Sequence, residues 1–205
     1  MRILLACILA LSTVAPAVAD TPMDQVLKQE QRGLFGQSAT RLSKLLRPSG
    51  KLEQISYSRE WLAGLPKAKG GEEWRCLAEA LYFEARGESV KGQFAVAEVI
   101  MNRVESPRFP DTVCGVINQG TGRKYQCQFT YTCDGHAEVI GEPRAFERVA
   151  KVAKLILSGA PRNLTDGATY YHTKAVRPKW SRKFSRTATI GVHHFYRPQT
   201  ELSQN

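Results

Sequence analysis

The 205 residues contain no C-x-x-C pair, no G-x-S-x-G, no H-E-x-x-H and no Gly-Lys-Ser/Thr phosphate loop. Zinc-protease, serine-hydrolase and nucleotide-triphosphate chemistry therefore lack their usual local signatures. Long apolar runs are missing after residue 20, so no later segment reads as a membrane span. No internal repeat is present. Acidic residues are outnumbered, 19 against 29 basic ones, for a net charge of +10.

The one apolar run is MRILLACILALSTVAPAVAD. Arg2 precedes it, and Ala17-Val18-Ala19 gives a small-x-small cleavage pattern, so residues 1–19 read as a secretory signal peptide. Without them the charge is +9. A basic exported chain is drawn to polyanions such as an envelope surface; nucleic acid is not expected as a partner. Four cysteines remain, Cys76, Cys114, Cys127 and Cys133, and an even count in an exported chain points to disulfides. Of the three possible pairings, Cys76–Cys114 with Cys127–Cys133 is favoured, because the second pair closes a short local loop. The competing arrangement is a zinc site using cysteines with His172, His193 or His194. The oxidising compartment argues against it, and no metal or cofactor is expected.

Residues 20–71 mix scattered Leu and Val with Gly33, Gly36, Pro48, Gly50 and Pro66, and end in the linker-like KAKGG. They read as an N-terminal arm with at most short helices. A domain is expected over 72–197, followed by a tail at 198–205. Trp74, Leu77, Ala78, Leu81 and Ala85 recur at helical spacing, and Gly87 ends that helix. Ser89 can cap a second helix whose apolar face runs from Val90 through Phe94, Ala97, Ile100 and Met101 to Val104. Residues 106–141 are loop-rich. Pro143 opens a third helix, lined by Phe146, Val149, Val152, Ala153, Ile156 and Leu157 and closed by Gly159. The stretches ATYYHT and TATIGVHHFYR are strand-like. In the latter, alternation is expected to place Ile190, Val192, His194 and Tyr196 on one face and Thr189, Gly191, His193 and Phe195 on the other. Helices first and a hairpin or small sheet later give an α+β fold.

Glu84 stands out within this pattern. At about 100° per residue it lies beside the apolar stripe, flanked by Leu77 and Leu81, whereas Glu79 and Arg86 point away. Partial burial and the negative end of the helix dipole both raise the pKa of a carboxyl there. A carboxylic acid still protonated near neutral pH is what general-acid catalysis requires. Glu88 is a second candidate, though an acid in the first turn of the next helix is also favoured by that helix's dipole. Aromatic residues interleaved with amides and cations in the second half suit a groove for sugar rings.

The segments LAEALYFEARGESVKGQFAVAEVIMNRVESPRFPDTVCGVI at 77–117, GATYYH at 167–172, Trp180 and IGVHHFY at 190–196 resemble the SleB/CwlJ-type cell wall hydrolases. The resemblance implies a lysozyme-like catalytic domain with helices and a small antiparallel sheet, acting on peptidoglycan glycan strands. It implies Glu84, the first Glu of E-A-R-G-E, as the catalytic acid. The expected reaction is lytic transglycosylation of the β-1,4 bond between N-acetylmuramic acid and N-acetylglucosamine. Simple hydrolysis aided by Glu88 or Asp134 is the close alternative; an amidase and a non-enzymatic envelope scaffold are further ones. Gln128, Phe129, Tyr171, His172 and Trp180 are expected to contact the sugar. The protein is expected to act as a monomer, exported to the periplasm or cell envelope.

Overall fold

The computed structural model describes residues 55–122 and 126–199. The expected signal peptide, the arm as far as residue 54, Tyr125 and the tail beyond residue 199 lie outside the described residues.

Five helices and three strands are described. They are α1 (Arg59–Gly64), α2 (Glu72–Ala85), α3 (Val90–Val104), α4 (Val113–Ile117), α5 (Pro143–Leu157), β1 (Tyr170–Thr173), β2 (Ser185–Ile190) and β3 (His193–Arg197), with single 3₁₀ turns at Thr130–Thr132 and Lys179–Arg182. The helix limits follow the sequence signals. The Ser89 hydroxyl accepts from the Gly92 N–H at 3.1 Å, capping α3. Pro143 occupies the first turn of α5. Beyond α5, Gly159 takes a left-handed φ of 90°.

α2 lies against α5, α4 and α3, and the apolar faces of α2, α3 and α5 form the core. Leu77, Leu81, Phe94, Val96, Ile100, Val149 and Val152 are completely buried. The three strands form one antiparallel sheet in the order β1-β3-β2. It is tied to the end of α3: Asn102 Nδ2 donates to the Ala168 carbonyl at 2.9 Å and Arg103 Nε to the Thr169 carbonyl at 2.7 Å.

Residues 55–71, within the stretch expected to be an arm, pack on this core. Leu62 is fully buried, and Ile55, Tyr57, Trp61, Leu65 and Ala68 pack against the core. Lys151 of α5, 7% exposed, donates to the Leu62 and Ala63 carbonyls at 3.1 Å each. The last carbonyls of a helix have no partner within it, so the buried ammonium and the end of α1 satisfy each other.

The last strand-like stretch is two strands rather than one. β2 and β3 are joined by Gly191 and Val192, and Ile190 pairs with His193 across the turn. The expected alternation holds within β3 but not across the turn: the chain reverses where it was taken to run straight, so Ile190 sides with His193 and Thr189 with His194. Gly191 has φ +57°, and a Cβ on it would overlap the Glu88 carboxylate. Glycine at the first central position is what a two-residue hairpin of this kind requires.

The disulfides are Cys76–Cys114, joining α2 to α4, and Cys127–Cys133, closing the loop expected from the sequence.

Candidate active site

Each residue of E-A-R-G-E has a different surrounding. Ala85 is buried in the core. Arg86 leaves the helix sideways. Its Nε donates to Glu142 at 2.8 Å and its guanidinium lies 4.8 Å over the Tyr82 ring, fastening the end of α2 to the start of α5. The Tyr82 hydroxyl accepts from the Glu142 N–H at 2.9 Å in the same junction. Glu88 turns back to the sheet, where it is buried in a slot between Gly92 and Gly191. It accepts from the Val192 N–H at 3.1 Å. His193 Nδ1 lies 2.9 Å from the same carboxylate but off the line of a straight hydrogen bond. Burial holds the His193 pKa below its usual value, and Glu88 offsets that only in part.

Glu84 is half-buried and faces β1. Tyr171 donates its hydroxyl to Glu84 Oε2 at 3.1 Å. Tyr171 itself packs edge-on against His193, with ring centroids 5.2 Å apart. Burial raises the Glu84 pKa; the Tyr171 hydrogen bond and the positive charge of Arg103 pull the other way without cancelling it. The phenols nearby are held in their neutral, donating form. Tyr171 is pushed well above the usual tyrosine range by burial and by Glu84, and Tyr131, stacked 4.5 Å from Phe83, is raised for the same reasons.

Arg103 is 2% exposed. Its guanidinium sits 5.5 to 5.8 Å from the rings of Phe109, Phe129 and Tyr170. With its amide oxygen turned inward, Gln128 accepts from Arg103 Nη1 at 3.2 Å and Nη2 at 3.3 Å. Gln128 also lines a cavity of about 450 Å³ with Gln119, Gly120, Thr121, Gln126 and Cys127. It therefore stands between an amide-rich cavity and the arginine whose charge acts on Glu84.

The expected sugar-contacting residues divide. Tyr171 and Gln128 belong to the network around Glu84. Phe129 is buried, 2% exposed, and serves as a wall for Arg103. His172 and Trp180 lie on the other face of the sheet. His172 follows Tyr171 in the strand, so its side chain points the opposite way. Its Nε2 and the Tyr196 hydroxyl are 3.0 Å apart, and Trp180 packs against both rings. Arg103 was not singled out from the sequence, although it lies within the N-R-V stretch. A lone arginine following an apolar helix face was the available signal.

The cell wall hydrolase family matches residues 87–196, more than half of the chain. The chain belongs to that family. Among its relatives, a spore cortex-lytic enzyme of Halalkalibacterium halodurans is 34% identical over 139 residues, 66% of this chain and 38% of that protein. A spore cortex-lytic enzyme of Bacillus subtilis is 33% identical over 133 residues, covering 65% and 40%. The chain thus spans about two fifths of the length of these relatives. The catalytic domain of the germination-specific lytic transglycosylase SleB from Bacillus anthracis superposes with a TM-score of 0.51 at 32% identity, over 65% of this chain and all of that one. The α+β arrangement of helices and three-stranded sheet is that of this hydrolase domain. The family match begins at Gly87, three residues after Glu84.

Replacing Tyr171 with Phe tests the electrostatics around the carboxyl. Loss of the donor removes a contact that favours the charged form, so the Glu84 pKa rises further. Titration of the Glu84 carboxyl, followed by NMR, is expected to move to higher pH in the variant. An unchanged titration would separate Tyr171 from Glu84.

Proposed function

We propose that the domain is a lytic transglycosylase that cuts the β-1,4 bond between N-acetylmuramic acid and N-acetylglucosamine in peptidoglycan, outside the cytoplasm and in the periplasm. The observation that carries this reading is Glu84: a half-buried carboxyl with a raised pKa, held by one hydroxyl donor at the end of α2. Family membership and the structural likeness to a SleB catalytic domain support the substrate class. The two disulfides suit an oxidising compartment.

In this mechanism Glu84 gives its proton to the glycosidic oxygen as the bond to the muramoyl anomeric carbon breaks. N-acetylglucosamine leaves with a free 4-hydroxyl, and positive charge develops on the muramoyl ring. The Glu84 carboxylate then takes the proton of the muramoyl 6-hydroxyl, whose oxygen closes on the anomeric carbon to give a 1,6-anhydro ring. The carboxyl must be neutral first and charged second. Burial favours the first state; the Arg103 guanidinium and the Tyr171 hydroxyl stabilise the second. Tyr171 holds Oε2, leaving Oε1 free of protein hydrogen bonds among the described residues.

A two-carboxylate hydrolysis would need a second acid free to activate water. Glu88 is engaged with the hairpin turn. The Asp134 carboxylate accepts from the His136 N–H at 2.8 Å. Both engagements favour the single-acid route. Mass analysis of the soluble products from purified sacculi is the test. Products one water lighter than the hydrolytic disaccharide-peptides are expected; products of full hydrolytic mass would establish a muramidase, and intact glycan with released stem peptides an amidase.

A further inference from the structure

The charge of the chain is concentrated. Residues 167–200 hold seven of the 29 Lys and Arg and none of the 19 Asp and Glu, so about a sixth of the chain carries +7 of the net +10. Most of this charge lies on the face of the sheet turned away from Glu84. There a cavity of about 570 Å³ is lined by Lys174, Arg177, Arg182 and Arg186, with Phe184 and Tyr196 among its walls. All four cations are exposed. None makes an ion pair or donates a side-chain hydrogen bond among the described residues. Elsewhere in the domain basic side chains do find acids: Arg86 meets Glu142, and Arg162 meets Glu105. His194, at the same cavity, is held below its usual pKa by burial and then by Arg186, His172 and Lys174. Among the described residues, no acid pairs with these four cations.

The walls behind the cations are aromatic. Tyr170 lies 4.8 Å from Phe184, and His172 stacks on Tyr196 at 5.1 Å. Aromatic faces suit the apolar side of a sugar ring. Arginine forks bind carboxylates in pairs of parallel hydrogen bonds. The cavity falls within the usual size range of ligand sites.

We infer that this cavity is a second, non-catalytic glycan site that takes the carboxylate-bearing part of a peptidoglycan strand, with the sugar against Phe184 and stem-peptide carboxylates on Lys174, Arg177, Arg182 and Arg186. The identity of the polymer rests on the proposed function. That polymer presents carboxylates along its whole length, and the site presents cations that pair with no acid among the described residues. Tyr171 and His172 are neighbours in β1 and serve opposite faces of the sheet. The second site therefore holds a strand adjacent to the one at Glu84, which keeps the enzyme on the sacculus between cuts by raising the effective substrate concentration.

The test uses the full chain carrying Glu84→Gln, so that binding is read without cleavage. Its co-sedimentation with purified sacculi is compared with that of the same protein also carrying K174A, R177A, R182A and R186A. Binding about tenfold weaker, with a shallower salt dependence, is expected for the quadruple variant. Sacculi whose carboxylates have been converted to amides are expected to bind the parent no better than the variant. In the active background, the four changes are expected to leave cleavage of a short soluble glycan within about twofold of the parent, which also shows that the fold is intact. The inference is overturned if the quadruple variant sediments like its parent, if amidated sacculi bind equally well, or if the four cations matter only for vesicles of anionic phospholipid. The proposed reaction fails separately, on product mass, and the sedimentation result does not depend on it.

Discussion

Replacing Glu84 with Gln is expected to lower glycan cleavage by about 10³-fold or more, since one side chain supplies both the acid and the base. The same change is expected to make the protein more stable near neutral pH. The folded-state pKa of Glu84 is raised above the ordinary value of 4.5, so the folded chain holds this proton more tightly than the unfolded chain does. Between the two values the native state binds more protons, and stability falls as pH rises through that interval. Above it the loss is complete. Glutamine carries no charge at any pH and can still accept from Tyr171, so the variant escapes the loss. Its melting temperature should match that of the parent below the ordinary carboxyl pKa and exceed it at pH 7. A variant that is inactive and also less stable at every pH would mean that the carboxylate is a structural group.

Removing the Cys76–Cys114 bond by C76S with C114S is the second large effect. The bond ties α2, which carries Glu84, to α4 across 38 residues. Constraint of the unfolded chain by a loop of that length is worth about 4 kcal/mol. Denaturant unfolding should show a loss of that order, with the midpoint displaced accordingly. Loss of Cys127–Cys133, which closes six residues, should cost about half as much. Equal losses from the two bonds would contradict the entropic account.

Much of the helical layer was legible because its signals are local. Ser89, Pro143 and Gly159 mark helix ends, and the apolar positions of three helices repeat without interruption. The hairpin was misread because its signal is not local. Gly191 sits in a run of β-branched and aromatic residues, and its turn is stabilised by Glu88, roughly a hundred residues away in the chain. Side-chain alternation cannot register such a partner.

The candidate acid was found by asking which carboxyl lies beside an apolar helix stripe. The same question also selects Glu98, four residues after Phe94 on α3. Glu98 is 1% exposed, yet it accepts from the Leu164 N–H, the Thr165 N–H and the Thr165 hydroxyl at 2.9, 2.9 and 2.6 Å. Three donors make it a fastener for the loop before β1. Glu84 has one hydroxyl donor and faces the sheet. What separates the two is how many donors surround the carboxyl, and that number depends on elements distant in sequence. His172 and Trp180 illustrate a related limit. Their chemistry suits a sugar, but one step along β1 turns His172 away from Tyr171's side of the sheet, and Trp180 packs against it there.

The grip of Lys151 on α1 also bears on where this molecule begins as a physical object. The family match opens at Gly87, but a fragment cut there would lack α2 and Glu84 altogether. A fragment cut at the glycine pair before α2 would keep Glu84 but lose the two carbonyls that hold Lys151 and uncover the apolar surface under Leu62. The packed unit therefore includes the residues from 55 onward, upstream of the stretch that the family match covers.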